Sequence, residues 1–336
     1  MQNEKLKCMI IAEAGVNHNG NLDIALKLCD EAKKVGADVV KFQTWKTEKI
    51  ITQSVAQADY QITNTKIKES QFDMLKRLEL SYDDFRKIKE HCDKIGIVFA
   101  STADDEKSLD FLVELGIPFI KIGSGDVGNI PFLRYIGSKN LPIIMSTGMS
   151  NLADVDVSIN ALRQGGAQDI SILHCTTNYP CPYAEVNLKA MLTLKEAFHL
   201  PVGYSDHTIG NAVAISAVTL GACVIEKHFT LDHNMTGPDH LASTEPQEFA
   251  ELVKAIRQVE SYMGDGIKKA TCAEEEISKV VTKRIVALKN IEKGEIFSKD
   301  NLCVKRNDVG LEANLWDLVL NKKAKKNFGV DEGILL

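Results

Sequence analysis

Polar residues arrive in pairs where several apolar runs of the sequence end. The three clearest pairs are Lys41 and Gln43, Ser205 and His207, and Glu226 and His228. Residues two apart in a β-strand lie on the same face, so each pair points to one side of its strand. A cation, a carboxylate and two imidazoles gathered at one end of a sheet are typical of a barrel enzyme with a polar, anion-binding active site.

Two lysines lie inside runs that are otherwise apolar, Lys41 in DVVKFQ and Lys121 in PFIKIG. A lysine is almost never buried without a partner, so these positions favour a functional role over a structural one. A serine near a strand end is commonly a turn former and carries little weight alone. Ser124, Ser146 and Ser205 are stronger candidates, because they are predicted to lie with the two lysines at the same end of the sheet.

Two histidines end predicted successive strands, His207 in GYSDH and His228 in CVIEKHF. Two neutral imidazoles with oxygen ligands suit a divalent metal such as Mn, Co, Fe or Zn. Two unrelated histidines would show the same spacing. Glu226, and Asp239 in the following GPDH loop, favour a metal or acid–base site.

Glu13 ends the first apolar run, where an unpaired carboxylate would be costly. It must have a partner or hold a proton, so it is a candidate general base or acid. The alternative is a buried pair with a lysine that only stiffens the barrel. A catalytic thiol at Cys175, beside His174, is a weaker alternative for the chemistry of the site.

These residues must be positioned by strands, and eight apolar runs alternate with amphipathic, helix-like segments. Such alternation predicts parallel strands with crossover helices, and eight strands are what a closed (β/α)8 TIM barrel requires. An open doubly wound sheet is the alternative, but the first turn, EAGVNHNG, lacks a G-x-G-x-x-G sequence. The early part of the long second connection, residues 44–65, is expected to be an active-site loop. The predicted strands span residues 8–15, 37–43, 96–101, 118–123, 142–147, 169–175, 201–205 and 222–229.

The composition is that of an ordinary globular protein. The chain has 336 residues, of which 44% are hydrophobic and 26% charged, and its formal net charge of -6 with no long basic run argues against a nucleic-acid partner. No apolar stretch reaches the roughly 20 residues of a membrane helix, and the N-terminal run is too short for a secretory signal. We therefore expect a cytoplasmic protein without a membrane partner. Eight scattered cysteines with no C-x-x-C pair indicate reduced thiols.

The pattern changes after about residue 265. We expect a catalytic barrel over residues 1–265 and a charged linker over 266–282. Residues 283–336 have short apolar pieces separated by Gly and Asp turns, which predicts a small β-rich domain that packs against something.

Eight ordered motifs and the tail together resemble the sialic acid synthase family over essentially the whole chain. The tail KNIEKGEIFSKDNLCVKR is similar to the antifreeze-like (SAF) C-terminal domain of that family. The motifs are IIAEAGVNHNG, ADVVKFQT, KIGSGD, STGM, LHCTTNYP, GYSDHT, GACVIEKHFTLD and GPDHLAS.

The resemblance implies condensation of phosphoenolpyruvate with an open-chain N-acetylated amino sugar to give a nine-carbon 2-keto acid and phosphate. The sugar would be N-acetylmannosamine or a 2,4-diacetamido hexose. N-acetylneuraminate is the expected product, and legionaminate is the alternative. By similarity, His207 and His228 would bind a divalent metal, Mn²⁺ in the first place with Co²⁺ or Mg²⁺ as alternatives. Glu13 would take the proton of the attacking water.

The remaining roles also follow from the resemblance. The residues that would bind phosphoenolpyruvate are Lys41, Lys121, Thr102, Ser124, Ser146 and Ser205. Those that would bind the sugar are Gln43, Tyr179, Asp239 and the residue at the Thr177 position. Glu226 and Asp239 are further catalytic candidates. In the family the C-terminal domain comes from the partner subunit, so a homodimer with swapped domains is expected, with Arg306 reaching the N-acetyl group. Without the resemblance, Arg306 would be taken for a surface cation.

Several positions depart from the family pattern. Ala103-Asp104 stands where Pro-Phe is usual, Asp126 where Glu is usual, and Thr177 where some members have Asn. Asn307-Asp308-Val309-Gly310 replaces Pro-Gly-Asn-Gly, which loosens the turn that would present Arg306. Two other classes stay open: a metal-dependent or Schiff-base pyruvate aldolase, and an ice- or carbohydrate-binding module.

Overall fold

The structure is a computed structural model that describes residues 7–57, 65 and 67–336. It divides into two compact units, Met1–Gly264 and Asp265–Leu336. This division lies one residue from the predicted end of the barrel. Within the described residues, no helix is both long and apolar enough to cross a membrane.

Eight parallel strands of the first unit form a closed barrel in chain order, with β8 pairing back to β1. The predicted TIM barrel is confirmed, and each of the eight predicted runs overlaps one strand, although β2, β3 and β7 extend one or two residues beyond the predicted ends. The strands are β1 Met9–Gly15, β2 Val39–Thr44, β3 Val98–Ala103, β4 Ile120–Ile122, β5 Ile143–Ser146, β6 Ile170–Cys175, β7 Val202–Asp206 and β8 Val224–His228.

Helices connect the strands and cover the outside of the barrel. Their ends follow from local sequence: Ser81 and Asp84 form a capping box at the start of one helix, and Gly96, with φ of 74°, ends it. Within the described part of this unit, the α-helices include Leu22–Lys34, Thr47–Ile50, Gln71–Leu78, Tyr82–Ile95, Glu106–Glu114, Ile130–Gly137, Leu152–Gly165, Ala190–Phe198, Ala212–Thr219 and Pro246–Tyr262.

Apolar side chains that point inward from the strands form a layer inside the barrel. Gly203 takes the β7 position in this layer, because a Cβ there would lie 2.6 Å from Leu173 Cδ2. The layer is formed by Ile11, Val39, Ala100, Phe119, Ile144, Leu173 and Val224. A separate, larger apolar core fills the space between the strands and the surrounding helices. The interior is therefore a packed floor, and residues two positions further along each strand lie above it.

The predicted active-site loop lies only partly within the described residues, because positions 58–64 fall outside them. Its first part packs against the barrel unit: Trp45 is buried with Val16, Met74 and Leu78. Lys46 Nζ lies 2.8 Å from Glu79 Oε1. The start of this loop, residues 45–46, is therefore held against the barrel unit.

The second unit contains the helix Cys272–Val281, an antiparallel pair of strands, β9 Lys283–Ala287 and β10 Leu302–Arg306, and the short helix Trp316–Val319. Most of the predicted linker is therefore helical, and its N-terminus has a Thr271–Glu274 capping box. A small core of its own, which includes Ile285, Phe297 and Phe328, holds this unit together.

Candidate active site

A polar layer lies directly above the apolar floor, at the carboxyl ends of the strands. Each member is two residues beyond a floor residue, so both lie on the inner face of the same strand. The layer consists of Glu13, Lys41, Thr102, Lys121, Ser146, Cys175, Ser205 and Glu226. All eight line one cavity of about 220 Å³. A TIM barrel carries its catalytic groups at this end.

Two carboxylates hold the two buried lysines. Lys41 Nζ lies 2.7 Å from Glu13 Oε2 and 3.7 Å from Glu226 Oε2. Lys121 Nζ lies 3.4 Å from Glu226 Oε1. These lysines also donate to hydroxyls, Lys41 to Thr102 Oγ1 at 3.0 Å and Lys121 to Ser146 Oγ at 2.8 Å. The lysines are thus fixed in position with their ammonium groups directed into the cavity.

The two carboxylates have opposite pKa shifts. Burial raises the pKa of Glu13 to about 7, although Lys41 partly offsets it. Burial would also raise the pKa of Glu226, but Lys121 and Lys41 outweigh it and lower the pKa to about 2. Glu226 is therefore a fixed anion between the lysines, while Glu13 can take or release a proton near neutral pH. The two ammonium groups and the fixed carboxylate give the layer one net positive charge when Glu13 is protonated and none when it is ionised, so the lysines are the groups that suit an anionic ligand.

The two histidines lie above this layer, on β8 and just after β7. Their rings are in edge contact, with centroids 5.4 Å apart, and the ring of Tyr179 lies 4.1 Å from that of His207. His207 Nδ1 lies 2.7 Å from the carbonyl oxygen of Thr176 and donates to it. Its Nε2 therefore carries the lone pair of the ring, with Ser205 Oγ 3.5 Å away.

The donor set fits a divalent metal of the borderline class. His228 Nδ1 is buried without a hydrogen-bond partner, and Asp239 Oδ2 lies 4.0 Å from it. Burial and the neighbouring His207 hold the pKa of His228 well below its ordinary value, which keeps the ring neutral, as ligation requires. Across residues 7–57, 65 and 67–336, no three or more His, Cys, Asp or Glu side chains form a complete site. Substrate or water would have to supply the remaining ligands.

A buried ion pair joins the residues that directly precede the two histidines, Asp206 and Lys227. Lys227 Nζ lies 2.8 Å from Asp206 Oδ2 and donates to the carbonyl oxygen of Thr208 at 2.7 Å. Asp206 Oδ1 accepts hydrogen bonds from the Thr208 amide and hydroxyl. These bonds fix the backbone on both sides of His207 and the residue before His228. A buried pair of this kind adds little net stability and is better explained by the geometry that it fixes.

Most residues predicted from the sequence meet at this cavity. Its lining includes Glu13, Lys41, Gln43, Thr102, Lys121, Ser124, Ser146, Thr177, Tyr179, Ser205, His207, Glu226 and His228. Asp239 lies next to it, beside His228. Arg306 is exposed at the end of β10 in the second unit.

For two residues that line the cavity, the sequence analysis predicted no role or only a minor one. Cys175 belongs to the polar layer, with its Sγ 3.8 Å from His207 Nδ1. Asp104 lies two residues beyond Thr102, and burial together with Asp126 raises its pKa to about 7. The signal that finds both is the two-residue period of a strand: Leu173 is followed by Cys175, and Thr102 by Asp104.

Comparison with known proteins identifies the family. The model of the NeuB family matches residues 28–268, more than half of the chain. The chain belongs to the NeuB family. The N,N'-diacetyllegionaminic acid synthase of Campylobacter jejuni is 51% identical over 328 residues, which cover 97% of this chain and 98% of the relative. The protein of the same name from Legionella pneumophila is 44% identical over 334 residues, which cover 98% and 94%.

A solved structure has a similar fold. The N-acetylneuraminic acid synthetase from Leptospira borgpetersenii, in complex with citrate, matches with a TM-score of 0.72 and 31% identity. The match covers 82% of this chain and 93% of that one. The expected resemblance and the expectation of an enzyme are confirmed. For the product, the relatives support the legionaminate alternative better than the main expectation of N-acetylneuraminate.

Proposed function

We propose that this NeuB-family enzyme condenses phosphoenolpyruvate with a 2,4-diacetamido hexose and water to give N,N'-diacetyllegionaminic acid and phosphate. The observation that carries the proposal is the polar layer, in which two fixed lysines, several hydroxyls and a titratable carboxyl face one cavity. The names of the relatives that align over nearly the whole chain support the choice of sugar.

The lysines and hydroxyls would bind phosphoenolpyruvate, a small ligand with several negative charges. Lys41 and Lys121 supply the ammonium groups. Their charge-assisted hydrogen bonds are strong in a site with little water. Glu226 lies 3.7 Å from Lys41 Nζ and 3.4 Å from Lys121 Nζ, so it offsets the repulsion between the two ammonium groups and keeps both in place before the ligand arrives. The hydroxyls belong to Thr102, Ser124, Ser146 and Ser205.

Carbon three of phosphoenolpyruvate then attacks the sugar aldehyde, and water attacks carbon two. Glu13 lies at the lysine end of the cavity and would take the proton of that water, which the raised pKa of about 7 allows. Gln43 Nε2 donates to Glu13 Oε1 at 3.3 Å and, with Lys41, fixes the carboxyl group. The tetrahedral phosphate intermediate collapses to the 2-keto acid and phosphate, with the lysines stabilising its charge.

His207 and His228 would hold a divalent metal, Mn²⁺ in the first place, at the aldehyde side of the cavity. Bound there, the ion would draw electron density from the aldehyde oxygen and make its carbon electrophilic. Asp239 and Tyr179, which adjoin the histidines, would orient the sugar beside them.

A product assay tests the proposed function. Incubation with Mn²⁺, phosphoenolpyruvate and a 2,4-diacetamido-2,4,6-trideoxyhexose is expected to release phosphate faster than incubation with N-acetylmannosamine. Mass spectrometry of the product should show the combined mass of the sugar and pyruvate. Reactions without sugar, and reactions with pyruvate instead of phosphoenolpyruvate, are the controls. Product from pyruvate would favour the aldolase class, and absence of phosphate with every acetamido sugar would contradict the proposal.

We further propose that two chains share each site, with Arg306 of one chain reaching the N-acetyl group of the sugar at the barrel of the other. Support comes from the exposed position of Arg306 at the end of β10 and from the family resemblance of its motif.

Complementation tests this arrangement. Co-expressed Glu13→Gln and Arg306→Ala chains are expected to recover about a quarter of the parent kcat/KM for the sugar, because half of the dimers would be mixed and each mixed dimer would have one intact site. Each variant expressed alone is the control. Activity no greater than the sum of the two variants alone would show that the site is formed within one chain.

A further inference from the structure

The cavity of the polar layer is too small for both substrates. It measures about 220 Å³, whereas cavities that enclose drug-sized ligands measure about 300–1,000 Å³. Phosphoenolpyruvate and an open-chain hexosamine together are of that larger size. Because the lysines and hydroxyls of the polar layer suit the anionic substrate, part of the sugar must extend beyond it.

A second, larger cavity adjoins the first. It measures about 980 Å³ and lies above β5 and β6, beside the helices Leu152–Gly165 and Ala190–Phe198. The two cavities share three lining residues, Met149, Cys175 and Thr177. Met149 has a backbone φ of 60° and an exposed side chain. Met149 and Thr177 thus form the boundary over which a ligand can pass from the first cavity into the second.

The lining of the second cavity is both polar and apolar. Asn178 and Thr193 offer hydrogen-bonding groups, while Leu152, Val155 and Leu194 offer apolar contacts. An acetamido group needs both, because it has an N–H donor, a carbonyl acceptor and a methyl group. A hydroxyl group in the same position would leave the apolar contacts unused.

The charges of the lining argue for a neutral ligand. The carboxylates of Asp154 and Glu185 outnumber the single lysine, Lys189. His174 adds no charge, because burial lowers the pKa of its ring below the ordinary value. A phosphorylated sugar arm would meet a net negative surface here, whereas an acetamido arm would not.

We propose that the second cavity is a subsite for the acetamido group of the sugar that lies farther from the aldehyde. The subsite rests on the proposed function and refines it, because it selects 2,4-diacetamido sugars over N-acetylmannosamine and over phosphorylated hexosamines. Phosphoenolpyruvate occupies the polar layer, and the aldehyde of the sugar lies near the histidines. The end of the sugar that carries the second acetamido group passes between Met149 and Thr177 into the second cavity.

Narrowing the subsite tests the proposal. Thr193 is exposed on the helix Ala190–Phe198 and lines only the second cavity, so Thr193→Phe narrows it without touching the polar layer. The KM for the diacetamido sugar is expected to rise about tenfold or more. The KM values for phosphoenolpyruvate and N-acetylmannosamine should stay within about twofold of the parent. Leu192→Phe, an equally bulky change at the exposed neighbouring position outside the cavity lining, is the matched control and should change none of these constants.

The outcomes separate the subsite from the proposed function. An unchanged KM for the diacetamido sugar in Thr193→Phe overturns the subsite, and so does an equal rise for both sugars. Faster turnover of a phosphorylated hexosamine than of the diacetamido sugar by the parent enzyme also overturns it. Absence of phosphate release by the parent with every sugar contradicts the proposed function itself.

Discussion

Replacing Glu13 with glutamine is expected to lower kcat by about 10²- to 10⁴-fold, because the site would lose the group that takes the proton of the attacking water. Glutamine has nearly the same shape, and its single amide oxygen can still accept a hydrogen bond from Lys41 Nζ, which lies 2.7 Å from Glu13 Oε2. Its NH2 group would replace Oε1, which accepts from Gln43 Nε2 at 3.3 Å, so the Gln43 amide would have to turn its oxygen toward it. Binding of both substrates should therefore change little, and the loss should appear in kcat.

The same role for Glu13 predicts how kcat changes with pH. A general base must be deprotonated, and burial raises the pKa of Glu13 to about 7. The kcat of the parent enzyme should rise with pH through about 7 and then level off, and the acid limb should vanish in Glu13→Gln. Glu31→Gln, which removes a carboxylate from the surface of the helix Leu22–Lys34, is the control. A Glu13→Gln enzyme with parental kcat, or with an unchanged acid limb, would show that another group is the base.

Replacing His207 with alanine is expected to abolish metal-dependent turnover and to weaken Mn²⁺ binding at least 100-fold, since even partners of metal ligands cost roughly 10- to 100-fold when lost. His207 and His228 are in ring contact, and no third residue among those described completes a protein site, so one lost imidazole halves the donor set. Mn²⁺ binding can be measured without substrates, from the electron paramagnetic resonance signal of the free ion.

His91→Ala is the matched control for this experiment. His91 lies on the outer helix Tyr82–Ile95 and contacts Asp30, far from the polar layer in the fold, so its loss should leave Mn²⁺ binding unchanged. Circular dichroism should show that both variants fold. Parental Mn²⁺ affinity in His207→Ala, or full turnover by the parent after chelation, would be incompatible with the metal role of the histidines.

Two of the positions that depart from the family pattern line the cavities described above. Asp104 replaces a usual phenylalanine and Asp126 a usual glutamate, and each has a pKa raised chiefly by burial. Asp104 lines the polar-layer cavity, while Thr177 lies on the boundary with the second cavity. Thr177 thus lies where the proposed sugar subsite begins, whereas Asp104 faces the cavity proposed for phosphoenolpyruvate.

The sequence by itself determined the barrel and most of the polar layer. Strands alternate faces with a period of two, so a floor residue such as Val39 predicts that Lys41 points inward, and Ile11 does the same for Glu13. The alternation of strands and helices, and the count of eight, then placed these residues at one end of a closed barrel. The order of the strands also predicted that His207 and His228 lie close together, and the family motifs favoured a metal site there.

Only the tertiary structure decided which of these groups touch. The stagger of the strands sets Glu13 opposite Lys41 on one side and His228 on the other, and Ser205 opposite Glu226. Contacts across strands depend on that register, which no local pattern encodes, so the placement of Glu226 between both lysines was not predicted. The opposite pKa shifts of Glu13 and Glu226 follow from the same contacts, because burial and charge act through space. The second cavity likewise exists only where β5, β6 and two helices meet, and it is this cavity that bears on the choice of sugar.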